Sequence, residues 1–214
     1  AWHAAAMEWE ATVPGLTFIE GTGTGNYIRV LSSGGNSSYV GMITGPQVMN
    51  IYNWNYRFII AHEIGHALSL LHEQSRSDRN TYITVDSGNI RDDREDQYYL
   101  SPGITNHGLY DYTSVMHYGR CSFADKQCGP NYTMDATVAG AAAVGMTRSE
   151  ANSAMGNRSD LSEGDVSAMR TLYPGSGGLI YASCLENGRT TVARCGRIRS
   201  RLRSASRIKA SRTG

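Results

Sequence analysis

Three histidines and a glutamate crowd the run His62-Glu63-Ile64-Gly65-His66-Ala67-Leu68-Ser69-Leu70-Leu71-His72. Imidazole nitrogens suit a borderline-soft cation such as Zn²⁺, and two of them four residues apart on a helix project from one face. Glu63 follows the first histidine and can take a proton from a water held by that cation. His72 comes six residues after His66, about 240° further round an ideal helix. It reaches the same cation only if the helix stops and the chain turns back. The motif is therefore a prediction about backbone shape as well as chemistry. The short H-E-x-x-H string also arises by chance on helices whose exposed histidines bind nothing.

The elements that must hold these side chains follow from periodicity and punctuation. Residues 2–12 are rich in Ala, Glu and Met and read as a helix closed by Pro14-Gly15. Residues 16–20 and 27–31 read as short strands between Gly-rich turns, and 39–44 and 48–51 as two more. The helix carrying the histidines is expected over 56–71. From 73 to 115 the chain is polar, and Asp92-Asp93-Arg94-Glu95-Asp96 reads as a solvated face. Residues 129–155, rich in Ala and Gly, read as irregular. Ser162 and Asp165 make a capping signature for a helix over 163–172, stopped by Pro174. Gly175-Ser176-Gly177-Gly178 reads as a linker, 179–195 as a small hairpin-like appendage and 196–214 as a basic, disordered tail.

Two longer motifs carry a resemblance. The histidine run continues as Glu73-Gln74-Ser75-Arg76-Ser77-Asp78-Arg79, and Ser114-Val115-Met116-His117-Tyr118-Gly119 follows downstream. Together these resemble the astacin family of metzincin zinc endopeptidases, from about residue 4 to residue 174. The resemblance implies an α+β, two-lobed, metzincin-like catalytic domain over residues 1–174. Its upper lobe would hold a twisted mixed sheet and the active-site helix, and its lower lobe would be mostly irregular with a C-terminal helix. One catalytic Zn²⁺ is implied on His62, His66 and His72, with Tyr118 as a further ligand at rest. Glu63 would be the general base and Tyr118 the oxyanion donor, with Met116 as a hydrophobic floor. Ser38, Tyr39, Val40 and Gly41 would form the sheet-edge strand that pairs with an extended peptide. Glu73 corresponds to the family's contact with the mature N-terminus, while Arg76, Asp78 and Arg79 read as structural ion pairs.

Two departures accompany it. The chain starts at the family's first helix, without the strand that precedes it, so a truncated domain and a sheet one strand short are expected. Ser69 stands where the family has Gly. A non-glycine residue with positive φ costs about 1–2 kcal/mol, against on the order of 10 kcal/mol returned by a structural zinc. Ser69 is therefore expected to take the strain while His72 still binds.

Composition bounds the rest. The chain has 214 residues, 40% of them hydrophobic, enough for a buried core. No run of eighteen apolar residues exists, so no membrane span is expected. The net charge of +1 conceals nineteen acidic against eleven basic groups in residues 1–188, and nine basic groups with no acid in residues 189–214. That basic tail has no interleaved aromatics, and no nucleic-acid partner is expected. Cys121 with Cys128 and Cys184 with Cys195 form two close pairs without C-x-x-C spacing, which favours disulfides and an oxidising, secreted location over a second zinc site. Glycosylation sequons begin at Asn36, Asn131 and Asn157. Taken with what the resemblance implies, these observations lead to the expectation of a secreted, monomeric zinc endopeptidase acting on polypeptides. The alternatives are an impaired peptide-binding protein and a site completed by a carboxylate such as Glu95 in place of His72.

Overall fold

Trp2, Ala5, Ala6 and Trp9 recur on one side of residues 2–12, and all four are buried in helix α1 (Trp2–Thr12). The structure, a computed structural model, describes residues 1–21, 25–157, 159–174, 179–186 and 189–190. After α1 come β1 (Thr17–Glu20) and β2 (Tyr27–Ser32), then a two-residue β3 (Ser37–Ser38) and β4 (Pro46–Ile51). Alternation in β4 buries Gln47, Met49 and Ile51 on one face. Residues 39–44, expected as a strand, are irregular. Gly41 takes φ 73° there and donates its N–H to the His66 carbonyl at 2.8 Å, so the backbone bends away from the ladder. Helix α2 (Arg57–Ala67) then crosses α1, where the Trp9 indole N–H donates to the Ala61 carbonyl at 2.9 Å.

The second half is built of shorter elements, and more of them than its composition suggests. Short elements α3 (Arg79–Tyr82) and β5 (Ile83–Val85) lead to a 3-10 run at Asp92–Tyr98. β6 (Met134–Ala136) pairs antiparallel with β5. The Ala/Gly-rich stretch folds into α4 (Val138–Ala143) and α5 (Arg148–Ala154) instead of staying irregular. Thr137 caps α4, and Thr147 with Glu150 forms a capping box on α5; each cap satisfies otherwise orphaned backbone donors. Helix α6 (Glu163–Leu172) begins at the Ser162/Asp165 capping box, as expected.

The expected appendage has a different place. Strands β7 (Leu179–Glu186) and β8 (Arg189–Thr190) do pair as a hairpin. But β7 also lies between β1 and β2, parallel to both, in a sheet ordered β1-β7-β2-β4-β3. The sheet is mixed, since β4 runs parallel to β2 and antiparallel to β3. It has six strands with β8, so the sheet expected to be one strand short gains β7 from the C-terminal segment. The reason is physical: β1 and β2 each present backbone groups that must be paired, and β7 supplies both partners. The proposed disulfide Cys184–Cys195 and the tail beyond 195 lie outside the described residues.

Two cores result. The upper one joins Trp2, Trp9, Phe18, Met49, Ile60 and Ile64 with Met116. The lower one gathers Ile83, Tyr98, Tyr110, Tyr112 and Met134, and Tyr118 packs against it. The hexapeptide Ser114–Gly119 thus crosses the seam between them.

Candidate metal centre

Helix α2 turns His62 and His66 to one side and ends where the third histidine requires it to end. Its last turn closes with Ser69 N–H on the His66 carbonyl (2.8 Å) and Leu70 N–H on the Gly65 carbonyl (2.9 Å). That pair of bonds around a left-handed residue is a Schellman motif, and Ser69 supplies the left-handed conformation at φ 79°. The helix therefore stops at Ala67, four residues short of the expected end, because the chain must reverse. His72 follows in extended conformation, and Glu73 N–H donates to the Met116 carbonyl at 3.2 Å.

The reversal brings three rings together. The Nε2 atoms of His66 and His72 lie 3.1 Å apart, and those of His72 and His62 lie 3.3 Å apart. The Nδ1–H of His62 donates to the Val115 carbonyl and that of His66 to the Leu70 carbonyl, both at 2.8 Å. A carbonyl can only accept, so in each neutral ring the proton sits on Nδ1 and Nε2 is a bare lone pair. Such lone pairs cannot hydrogen-bond to one another; pointed at a common place, they suit a cation. Tetrahedral zinc with Zn–N of about 2.0–2.1 Å requires ligand atoms roughly 3.3–3.4 Å apart. The donor set therefore fits zinc, and among the described residues these three histidines form the only group of its kind.

Burial sets the charges. It drives His62 down to about 3, with His66 adding to the effect, and holds His66 and His72 below their ordinary value as well. All three are thereby neutral, as metal ligands must be. Burial pushes the Glu63 carboxyl up to about 8. Its Oε2 is buried and has no hydrogen-bond partner. A cavity of about 300 Å³ opens beside it, lined by His62, Glu63, Val115, Tyr118 and Gly119 among others.

The hexapeptide Ser114–Gly119, a Met-turn built around Met116, supports this centre. A Cβ at Gly65 would lie 2.7 Å from Met116 Sδ, so Met116 packs directly on α2 between His62 and His66. The turn is pinned by Asp165 of α6, which accepts from Ser114 Oγ at 2.6 Å and Val115 N–H at 2.9 Å. Tyr118 stands with its ring 4.4 Å from that of His72, and its hydroxyl donates to Gln97 Oε1 at 3.1 Å. Burial raises its pKa. Its backbone N–H donates to Oε1 of the fully buried Gln74 at 3.1 Å. Sequence reasoning does not single out Asp165, Gln74 or Gln97 as site residues. Only the S-x-x-D capping signal points at one of them, and it says nothing about the Met-turn.

Other expected residues separate. Glu95 is exposed and belongs to no metal-binding group among the described residues, whereas His72 does. Glu73, raised to about 7 by burial against the opposing pull of Arg76, accepts from Asp111 N–H at 2.8 Å and Arg76 Nη1 at 3.1 Å. It lines a second cavity of about 300 Å³ on the far side of His72. Arg76 also pairs with Asp78 at 2.9 Å, as expected. Arg79 instead donates to the carbonyls of Gln74 and Tyr98, acting as a backbone strut. Of the four edge residues, Ser38 alone is in a regular strand; Tyr39, Val40 and Gly41 continue past it, with Tyr39 and Val40 exposed.

Comparison with known proteins agrees with this geometry. The peptidase family described as Astacin matches residues 2–174. Flavastacin of Elizabethkingia meningoseptica is 31% identical over 188 residues, 87% of this chain and 38% of that protein. Meprin A subunit beta of Rattus norvegicus is 31% identical over 195 residues, 89% of this chain and 26% of that protein. The chain thus spans well under half the length of these relatives. The solved structure of high choriolytic enzyme 1, a hatching enzyme zinc-protease from Oryzias latipes, is 28% identical with a TM-score of 0.68, covering 79% of each chain. That of myroilysin, at 21% identity and a TM-score of 0.51 over 81% of this chain and 85% of the other, shares the fold. Residues 2–174 carry the family's match and three convergent imidazoles fit its metal, so the chain belongs to the astacin family of zinc metalloendopeptidases.

Proposed function

We propose that this chain hydrolyses internal peptide bonds of extended polypeptides, with Glu63 as general base and Tyr118 as donor to the developing oxyanion. Zinc, when bound, supplies Lewis acidity: it makes water nucleophilic near neutral pH and draws charge from a carbonyl oxygen. The three imidazoles hold it, and the carbonyls of Val115 and Leu70 hold the first two imidazoles in the right tautomer. Glu63 does the proton work. Its unpartnered Oε2 takes the proton of the attacking water and returns it to the leaving amine. To act as base the Glu63 carboxyl must start the cycle ionised, against the burial that raises it; a cation held by the three imidazoles would favour that ionised form. Tyr118 remains a protonated phenol, which is what a donor needs. The segment Ser38–Tyr39–Val40–Gly41, tied to α2 through Gly41, offers backbone to an extended peptide. The Cys121–Cys128 disulfide favours an extracellular setting.

The observation that carries this reading is the convergence of three Nε2 atoms beside a buried carboxylate oxygen with no partner. The alternative, a peptide-binding chain impaired in turnover, draws its support from Ser69. The turn that Ser69 makes still delivers His72 to within 3.3 Å of the other rings, which supports the enzyme. Metal analysis beside casein cleavage tests it. Wild type and Glu63→Ala are expected to hold zinc equally, while cleavage falls at least about a hundredfold in the variant. Chelation should abolish wild-type cleavage and zinc restore it. Undiminished cleavage by Glu63→Ala would remove the mechanism.

A further inference from the structure

We propose that Asn36 is a positioning residue for the substrate: its amide fixes the start of the segment Ser38–Gly41 and so sets where a bound peptide lies relative to the metal ligands. The inference rests on the peptide-binding role given to that segment above. Asn36 stands between β2 and β3, just after Gly34 and Gly35, which have no side chains to anchor the loop. Its Oδ1 accepts from the backbone N–H groups of Tyr52 and Asn53, at 2.8 and 3.1 Å. Its Nδ2 donates to Asn53 Oδ1 at 2.7 Å. A backbone N–H can only donate, so the amide has one orientation, with its oxygen toward both groups. Tyr52 and Asn53 directly follow β4, and the side chain gives their N–H groups an acceptor just past the end of the strand.

The bonds tie the segment to both ends of the helix that carries His62, Glu63 and His66. At its start, Asn36 holds Asn53, whose carbonyl accepts at 3.1 Å from the N–H of Tyr56, the N-cap of α2. At its end, the Gly41 N–H is bonded to the His66 carbonyl in the last turn of α2. Among the described residues, the ladder near these anchors is limited to Ser37 with Asn50 and Ser38 with Met49. So short a pairing does not hold a strand by itself. Asn36 also lines the cavity beside Glu63, together with Phe58 and Ile59 of α2. The residue that fixes the edge therefore borders the reaction site. Its bonds lie near the surface, where water replaces a lost partner, so a change at 36 leaves both cores packed.

Steady-state cleavage by the full zinc-loaded chain tests this, with blocked peptides lengthened stepwise from a dipeptide. In wild type, KM should fall as the peptide becomes long enough to pair with the edge. Asn36→Ala removes the clamp; it is expected to raise KM for the long peptides roughly three- to tenfold, with kcat within about twofold and zinc content unchanged. Short peptides should not register the change. Asn36→Asp keeps an oxygen for both N–H groups and lets Asn53 turn its amide nitrogen to the other, so it should recover most of the lost affinity. Binding without turnover is read in a Glu63→Ala background. There the Kd of a fluorescently labelled long peptide should rise by the same factor when Asn36→Ala is added. A KM unmoved by Asn36→Ala, a fall in kcat shared by short and long peptides, or an Asp variant no better than Ala would overturn the inference and leave the role of the edge standing. A wild-type KM that does not fall with peptide length would overturn that role, and this inference with it.

Discussion

Ser69 sits at φ 79° at the point where α2 releases the chain, a conformation that favours glycine. The strain of a Cβ there, about 1–2 kcal/mol, is tolerated because two backbone bonds and a metal site depend on the turn. The Ser69 side chain also reaches toward Gly41: a Cβ built there would lie 3.1 Å from Ser69 Oγ. Ser69→Gly removes the strain but gives the unfolded chain more freedom, so the net gain is small. Stability is expected to rise by up to about 1 kcal/mol, read as a higher urea midpoint, with zinc stoichiometry unchanged. A lower midpoint would mean that the Ser69 hydroxyl contributes more at Gly41 than its backbone costs.

Among elements, the Met-turn connects the two cores, and His117 is its buried polar member. Its Nδ1–H donates to the Tyr118 carbonyl at 2.7 Å, and its Nε2 accepts from the Tyr110 hydroxyl at 2.8 Å. The second bond needs a neutral ring, and burial lowers the pKa to about 4 against the opposing pull of the first. The unfolded chain takes a proton near 6.5, so between about pH 6.5 and pH 4 the unfolded state binds more protons than the folded one. The stabilisation is therefore present above the unfolded value and is lost as pH falls through the folded one. The loss is on the order of 3 kcal/mol. Other groups titrate in the same window, which makes the difference between two chains the useful quantity. Urea midpoints of wild type should fall more steeply from pH 7 to pH 4 than those of His117→Gln. Parallel lines would show that His117 is not neutral in the folded protein.

The same scale shows how far the amino-acid order can be read. Helices α1 and α6 are legible because an inward apolar face and the Ser162/Asp165 cap lie close together in the chain. The three zinc ligands are legible for the same reason, spanning eleven residues. Helices α4 and α5 are not, because Gly140 and Gly145 in an Ala-rich run resemble loop composition. Yet Thr147 and Glu150 carry a capping signal that composition outweighs. A Cβ at Gly140 would lie 2.4 Å from the Tyr82 backbone, so that glycine marks close helix packing rather than a loop. The partners of the turn Ser114–Tyr118 are hidden for another reason: Gln74, Gln97 and Asp165 are brought to it by tertiary folding alone.

At the scale of the whole molecule, the sheet places the segment 38–41, and β7 holds the sheet together. β7 is strand-like in sequence, but its partners β1 and β2 lie about 150 residues earlier, and no local signal names them. Ala182 pairs with Glu20 on one side and Ile28 on the other, is 1% exposed, and its carbonyl accepts from Gly21 N–H at 3.0 Å. Without β7, β2 would lose its link to β1; β4, β3 and the segment 38–41 are attached through β2. The metal ligands would feel this only indirectly, since α2 and the Met-turn are bound to each other through Met116 and the Val115 carbonyl. Ala182→Pro removes a ladder N–H and places a ring in a central strand, at an expected cost of about 3 kcal/mol or more. Hydrogen exchange should show the amides of β2 losing protection first, ahead of those in α2. A separate appendage would behave differently: the same substitution would leave the urea midpoint and the protection of β2 untouched, and the sheet would have to be closed in some other way.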